Sequence, residues 1–146
     1  MMRKFYKNNV LMGVGNPEGN DTTFTAEGIV NGHAYAVVRV EDFEGELLIM
    51  LRNPHGKSDQ CVEWNGDWSD TSEKWTQKAI DTLGYTPSES PDGIFWINQT
   101  DLMQNFKNLY ICRELSAKAG WHEISLNGEW FGPSAGGFPK KFRTCP

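Results

Sequence analysis

The stretch GIVNGHAYAVVRVEDFEGELLIMLRNP, residues 28–54, is the most informative about the architecture, because it holds two apolar runs separated by a short polar connection. Residues 28–40 and 47–51 are rich in β-branched and other apolar side chains, which favour extended backbone. The polar segment EDFEG, residues 41–45, predicts the connection of an antiparallel hairpin. His33 is an ionisable side chain inside the first of these strands, and its position needs an explanation.

The hairpin predicts a hydrogen bond between His33 and Asn53. A turn centred near Phe43 makes the numbers of facing residues sum to about 86, which places these two side chains opposite each other, roughly 5 Å apart at Cβ. The amide oxygen would hold the imidazole in one tautomer and aim its other nitrogen outward, as in a cysteine–histidine–asparagine triad. The alternative is a histidine that packs within the strand and an asparagine that forms a turn before Pro54.

Two helices are predicted outside this hairpin. Residues 1–13 predict a short helix that ends at Gly13. Residues 72–84 have apolar side chains at helical spacing, with Thr71 or Ser72 placed to cap the start and Gly84 placed to end the helix.

The remaining elements predict an α+β fold with an antiparallel sheet. Residues 93–97 and 109–115 read as strands, and a short helix capped by Thr100 lies between them. Strands, helix, strand, helix and strand in this order favour an antiparallel sheet with short helices. From residue 116 the chain becomes rich in glycine and small residues, which indicates a change of domain.

Charge and hydropathy argue against two classes of partner. The 146 residues include 14 Lys and Arg against 19 Asp and Glu, a formal net charge of −5. Nucleic acid is therefore a poor partner, because affinity for it comes mainly from neutralised phosphates. No apolar run approaches the roughly 20 residues that cross a bilayer, so we expect no membrane span and a cytoplasmic location.

Cysteines and aromatic residues are predicted to be structural. Three widely spaced cysteines without a C-x-x-C pair indicate reduced thiols at positions 61, 112 and 145. Cys112 lies in an apolar run and is predicted to be buried. The aromatic side chains predicted to form the core are Trp64, Trp68, Trp75, Phe95 and Trp96.

Five motifs, in this order and at these spacings, resemble the second half of the calpain-type cysteine protease core, which is papain-like. They are GIVNGHAYAV, LLIMLRNPHG, VEWNGDWSD, DGIFWI and NLYIC. Each motif alone is weak, but five in register are specific. The resemblance implies that residues 1–115 are the C-terminal half of a protease core, and that residues 116–146 are a linker and the truncated start of a β-sandwich domain.

The resemblance also implies a function for the hairpin pair. His33 in GHAY matches the catalytic histidine, and Asn53 in RNP matches the catalytic asparagine, of endopeptidases that hydrolyse peptide bonds in proteins. The upstream half of the core would supply the nucleophilic cysteine, so we expect this chain alone to be inactive. Its partners would be that upstream half and protein or peptide substrates. The alternative is a catalytically inactive calpain-like module for protein interaction or regulation.

His55 departs from the family pattern, which has tryptophan at this position. There the indole shields the histidine–asparagine hydrogen bond from water. An imidazole is smaller, more polar and titrates near neutral pH, so the shield would be weaker or sensitive to pH. An inert surface role for His55 is the alternative.

Calcium is the cofactor that the resemblance implies. Glu63 and Asp70 in EWNGDWSD and Asp92 in DGIFW match ligand carboxylates, whereas Ile94 replaces the family's final glutamate. Because calcium takes six to eight oxygen ligands, we expect binding here to be weak or absent. Helix capping and turn formation are the alternative roles of Asp70 and Asp92.

Overall fold

The computed structural model describes residues 1–56, 63–112, 124–129 and 131–132. It divides into two compact units, Met1–Glu114 and Leu115–Pro146. The described residues of the second unit contain no β-strand, so a β-sandwich beginning there stays a prediction. Cys61, Cys145 and the end of the last predicted strand lie outside the described residues.

The first unit is a five-stranded antiparallel sheet with short helices, which confirms the predicted α+β class. The strands are ordered β4-β3-β2-β1-β5 across the sheet. The elements are α1 Met2–Lys7, β1 Leu11–Asn16, β2 His33–Phe43, β3 Glu46–Arg52, α2 Gln77–Leu83, β4 Ile94–Asn98, α3 Gln99–Asn105 and β5 Asn108–Cys112. None of the described helices is long and apolar enough to cross a membrane.

The β2–β3 hairpin forms, but its turn is tighter than predicted. Only Glu44 and Gly45 connect the strands, both with positive φ (52° and 85°), as a two-residue turn with matching twist requires. The other residues of the predicted connection belong to the strands. Residues 28–32 form a loop before β2 instead of its first part, although the loop buries Ile29 in the core.

The predicted register is wrong as well. Ala36 pairs with Arg52, and the pairing shifts at a bulge between Val37 and Arg39. His33 therefore has no ladder partner on β3 and pairs instead with Asn16 of β1. The tight turn and the bulge, both decided by backbone conformation, account for the difference.

Both predicted helix starts after the hairpin are wrong. Thr76 caps α2, its side-chain oxygen accepting from the backbone N–H of Ala79 at 3.3 Å, and Gly84 ends the helix as predicted. Asn98 caps α3 by accepting from the backbone N–H of Asp101 at 2.9 Å. In each case another polar side chain lay close enough in sequence to compete for the cap.

The predicted N-terminal helix stops at Lys7, because the residues after it form β1. Gly13 lies inside this strand, which pairs with β2 on one side and β5 on the other. Ladder hydrogen bonds to distant segments thus override the local pattern. β5 is left at the edge of the sheet, where Cys112 is exposed, so the prediction that it is buried is wrong.

The core lies on both faces of the sheet. Successive side chains of a strand point to opposite faces, and in β3 Ile49 and Leu51 join one buried cluster while Leu48 and Met50 join the other. The predicted core aromatics are confirmed, four of them buried and one partly buried against the second cluster: Trp64, Trp68, Phe95, Trp96 and Trp75.

Alanine substitutions at Gly28 and Gly45 distinguish the stability cost of a positive φ from the cost of a steric overlap. Both glycines have positive φ, 89° and 85°, so alanine at either costs roughly 1–2 kcal/mol of unfolding free energy. A Cβ at Gly28 would also overlap the carbonyl oxygen of Glu63, whereas nothing lies within 4 Å of one at Gly45. We expect Gly28→Ala to lower the free energy of unfolding by at least about 2 kcal/mol more than Gly45→Ala in urea denaturation. Equal losses would contradict the steric contact.

Candidate active site and acidic cluster

The side chains of His33 and Asn53 meet, although the ladder does not pair them. His33 is the first residue of β2, Asn53 follows the last residue of β3, and the distance from Nε2 to Oδ1 is 2.9 Å. The backbone N–H of His55 donates to the same Oδ1 at 3.0 Å, which identifies that atom as the amide oxygen. Nε2 of His33 therefore carries the hydrogen, and Nδ1 is the nitrogen left as an acceptor in the neutral ring.

Asn53 is held in place by its own backbone. Its N–H donates to the carbonyl of Gly93 at 2.7 Å, and its carbonyl accepts from the N–H of Gly56 at 2.9 Å. The residue is buried, with 7% of its surface exposed. A buried amide with these partners has little freedom to rotate, so the direction of its oxygen, and hence the plane of the His33 ring, is set by the fold.

Two aromatic rings lie against His33. His55 stacks on it with ring centroids 4.2 Å apart and an interplanar angle of 8°. Tyr35 contacts it edge-on, with centroids 5.3 Å apart. The predicted position of His55 beside the histidine–asparagine pair is thus observed, and its side chain remains exposed on the outer side.

The surroundings of His33 favour its neutral form. Burial lowers its pKa from the usual value, the hydrogen bond to Asn53 raises it, the charge of His55 lowers it further, and Asp21 raises it. The net direction is downward. A neutral imidazole whose Nδ1 accepts a hydrogen bond is the form that can take a proton from a nucleophile.

Three carboxylates form the acidic cluster, defined as Glu63, Asp70 and Asp92. Each offers an oxygen within 4.8 Å of the others. Each carboxylate accepts a hydrogen bond from a different donor. Glu63 accepts from the N–H of Gly93 at 2.8 Å, and Asp92 accepts from the N–H of Ile94 at 2.8 Å. Asp70 accepts from the hydroxyl of Tyr85 at 2.7 Å. The alternative turn-forming role is thus observed for Asp92, whereas Asp70 does not cap α2.

Charge within the acidic cluster is poorly compensated. Burial raises the pKa of Glu63 to about 7, with Asp70 and Asp92 adding to the rise, and burial also raises the pKa of Asp70. Asp70 Oδ2 is buried and has no hydrogen-bond partner among the described residues. Converging carboxylate oxygens with an unsatisfied buried lone pair fit a divalent cation of the calcium type. Ile94 adds no side-chain oxygen to this set.

Sequence reasoning missed three residues that support these sites. Tyr35 contacts His33, and its hydroxyl accepts from the backbone N–H of Val30 at 2.9 Å. Tyr85 donates to Asp70. Gly93 joins the two sites, because its carbonyl accepts from Asn53 and its N–H donates to Glu63. Only Tyr35, two residues after His33 and hence on the same strand face, had a sequence signal.

Cys112 is far from the histidine. It pairs with Leu11 at one end of β1, whereas His33 pairs with Asn16 at the other end. Five residues of extended strand span roughly 17 Å. Cys112, the cysteine within the described residues, therefore cannot contact the His33 imidazole.

Comparison with known proteins gives a consistent result. The model of the calpain family cysteine proteases matches residues 1–113. The chain is 40% identical over 134 residues to the calpain-type cysteine protease DEK1 of Arabidopsis thaliana, covering 92% of this chain and 6% of the relative. It is 38% identical over 136 residues to calpain-8 of Mus musculus, covering 84% of this chain and 19% of the relative.

The chain thus spans a small fraction of the relatives it matches. The match nevertheless includes the whole five-stranded sheet, the histidine–asparagine pair and the acidic cluster. The chain belongs to the calpain family of cysteine proteases.

Proposed function

We propose that this chain supplies the catalytic base and its orienting residue to a cysteine endopeptidase whose nucleophile lies on an upstream segment. The observation that carries the proposal is the hydrogen bond from His33 Nε2 to Asn53 Oδ1, at 2.9 Å, which leaves Nδ1 for the nucleophile. Family membership supports it, because cysteine proteases pair a thiol with an imidazole base.

In each half of the reaction, His33 accepts one proton and then donates it. Nδ1 of His33 takes the proton of the cysteine thiol, and the thiolate attacks the carbonyl carbon of the peptide bond. The imidazolium then gives that proton to the leaving amine, which produces an acyl-enzyme. The neutral ring next removes a proton from water, and the resulting hydroxide attacks the thioester carbonyl. The C–S bond breaks, the carboxylic acid product leaves, and the imidazolium returns its proton to the thiolate, which regenerates the thiol. Asn53 keeps the ring in one orientation throughout.

A non-catalytic module is the second candidate, favoured by one observation. His55 stands where the family has tryptophan, and its exposed imidazole covers the histidine–asparagine hydrogen bond less than an indole would. Under this candidate the fold serves protein interaction or regulation. The experiments below separate the two.

The acidic cluster is the place where this chain would hold calcium. Bound calcium would neutralise the cluster, and Asp70 Oδ2 would gain a partner. The site offers three carboxylates, since Ile94 contributes none, so we place its affinity at the weak end, with a dissociation constant on the order of 10⁻⁴–10⁻³ M.

Substitutions in the longer protein that carries the upstream cysteine test the enzymatic role. We expect His33→Ala to lower kcat/KM on a fluorogenic peptide by roughly 10³-fold, because the base is lost. Asn53→Ala should lower it by roughly 10²-fold, since the ring loses its orientation. Asn8→Ala, at the exposed end of α1, is the control and should have no effect. Activity that survives in His33→Ala would show that His33 is not the base, and no cleavage by the unsubstituted longer protein would favour the non-catalytic module.

This chain on its own should not cleave the same peptide at any pH, because the resemblance places the nucleophilic cysteine on the upstream half and Cys112 lies at the far end of β1 from His33. Adding the cysteine-bearing segment should restore cleavage. Cleavage by the isolated chain, retained after His33→Ala and lost after Cys112→Ser, would contradict the assignment.

Calcium should stabilise the chain more at high pH than at low pH. The pKa of Glu63 is raised from 4.5 to about 7, so the folded chain holds the Glu63 proton more tightly than the unfolded chain does. Without calcium, the stabilisation by this proton is complete below pH 4.5 and is lost as the pH rises through 7. Calcium at ten times its dissociation constant adds about 1.4 kcal/mol. We therefore expect a clear rise in the melting temperature at pH 8 and little at pH 5, measured by calorimetry.

Two variants control this measurement. Glu63→Gln should raise the melting temperature of the calcium-free chain at pH 8 and reduce the calcium effect, because one carboxylate of the cluster is removed. Glu18→Gln, an exposed carboxylate that lies outside the cluster and outside the cavity around it, should preserve the calcium effect. An equal calcium effect in both variants would place the ion elsewhere.

A further inference from the structure

The side chain of Tyr35 makes two separate contacts with the segment that carries His33. Its ring meets the imidazole of His33 edge-on, with centroids 5.3 Å apart and an interplanar angle of 75°. Its hydroxyl accepts a hydrogen bond at 2.9 Å from the backbone N–H of Val30, which precedes His33 by three residues. One side chain therefore contacts both the imidazole and the backbone that leads into it.

We propose that Tyr35 is a positioning residue for His33 and that both contacts are needed: the ring keeps the imidazole in the orientation that reaches Asn53, and the hydroxyl keeps the backbone before His33 in place. This inference deepens the proposed function and rests on the role of His33 as the base. The two contacts can be tested separately, because phenylalanine at this position would keep the ring and lose the hydroxyl.

The ring of Tyr35 is itself held by the core. Only 2% of the residue is exposed. Phe95 of β4 and Phe106, which follows α3, each meet the ring edge-on, with centroids 5.9 Å and 5.3 Å away. Aromatic pairs in this geometry are favourable beyond the area that they bury. The position of the Tyr35 ring is therefore set by distant parts of the chain and passed on to His33.

The space beside Tyr35 is too small for its ring to turn away. Tyr35, Asn53 and Gly93 border a cavity of about 10 Å³. A space of this size holds at most about one water molecule and is far smaller than a phenol ring. The ring of Tyr35 therefore stays against the imidazole.

The contacts of the His33 imidazole restrict different motions. The hydrogen bond from Nε2 to Asn53 Oδ1, at 2.9 Å, fixes the direction of one ring nitrogen but allows the ring to rotate about the axis of that bond. His55 lies parallel to the imidazole and Tyr35 nearly perpendicular to it, so a rotation would bring the imidazole against one of these rings. Tyr35 is the buried one of the two, and hence the less mobile.

The hydroxyl of Tyr35 matters because the N–H that it binds is buried. Val30 is 4% exposed, and a buried backbone N–H without an acceptor is unfavourable. The neighbouring residue Ile29 is fully buried and donates its N–H to Oγ1 of Thr25 at 3.2 Å. Loss of the Tyr35 hydroxyl would leave the Val30 N–H without this acceptor and loosen the backbone just before the base.

Nitrogen-15 NMR of the histidine rings in this chain tests the ring contact without any catalysis. With His33 neutral, we expect its Nε2–H tautomer, and an Nε2 proton that exchanges slowly with water. Tyr35→Leu removes the aromatic ring, so it should mix the two tautomers and speed this exchange by roughly tenfold, the factor that a typical hydrogen bond contributes. An unchanged tautomer and exchange rate in folded Tyr35→Leu would overturn the proposal.

Val40→Ala is the matched control. Val40 lies seven residues after His33 on β2 and is buried in the same core cluster as Tyr35, so its truncation also removes core volume. We expect this variant to keep the Nε2–H tautomer and the slow exchange. The same changes in Val40→Ala as in Tyr35→Leu would show a general loosening of the core and would overturn the positioning role.

Amide hydrogen exchange in Tyr35→Phe tests the hydroxyl. The Val30 amide should exchange roughly tenfold faster relative to the amides of β3, because its acceptor is lost. The His33 tautomer should persist, because the ring is kept. Unchanged exchange at Val30 would overturn the proposal, and this variant keeps the test open if Tyr35→Leu does not fold.

Kinetics of the longer protease give a readout that a purely structural residue would not move. A residue that holds the base should change kcat and leave KM as it is. We expect Tyr35→Leu to lower kcat by roughly 10²-fold, Tyr35→Phe to lower it less, and Val40→Ala to leave it unchanged. A raised KM with an unchanged kcat in Tyr35→Leu would overturn the proposal.

The two kinds of measurement distinguish this inference from the proposed function. If the longer protein does not cleave peptides but the NMR changes occur as expected, the proposed function fails and the positioning of His33 by Tyr35 stands. If cleavage depends on His33 while Tyr35→Leu keeps full kcat and a single tautomer, the proposed function stands and this inference fails.

Discussion

The hydrogen bonds of buried Asn53, made by both its side chain and its backbone, hold the site together. A buried amide must find partners for its polar atoms, or its burial is strongly unfavourable. Here its oxygen accepts from His33 and His55, its N–H donates to Gly93, and its carbonyl accepts from Gly56. The end of β3, the turn after it and the start of β2 are therefore held together by one residue.

The acidic cluster lies one peptide away from this constraint. The N–H of Gly93 donates to Glu63 and its carbonyl accepts from Asn53. Gly93 therefore holds both Glu63 of the acidic cluster and Asn53 beside His33 in place. Gly93 also packs tightly, since a Cβ there would lie 3.0 Å from the Cα of Gly56. Neither site can shift far without moving the other.

The resemblance to the family implies two departures in this chain, and each lies in one of these sites. At the first, the imidazole of His55 stacks on that of His33, where the resemblance implies an indole. At the second, Ile94 takes the place of a carboxylate that the resemblance implies, close to Glu63 and Asp70, whose pKa values are raised by burial.

The apolar hairpin, the α+β class, the aromatic core and the pairing of an imidazole with an amide at His33 and Asn53 are all predictable from the amino-acid sequence. Local patterns carry these features, since alternating apolar runs, turn residues and side-chain types are properties of short segments. The histidine–asparagine contact was predicted through a wrong register, because the turn at Glu44 and Gly45 and the bulge after Val37 depend on backbone conformation.

Three other features emerge only in the folded chain: Gly13 lies in a strand, Cys112 is exposed on an edge of the sheet, and His55 stacks on His33. Each of these facts depends on pairing between segments far apart in the chain. Hydrogen bonds and packing between distant segments outweigh local propensity, and they cannot be read from any one short segment of the sequence.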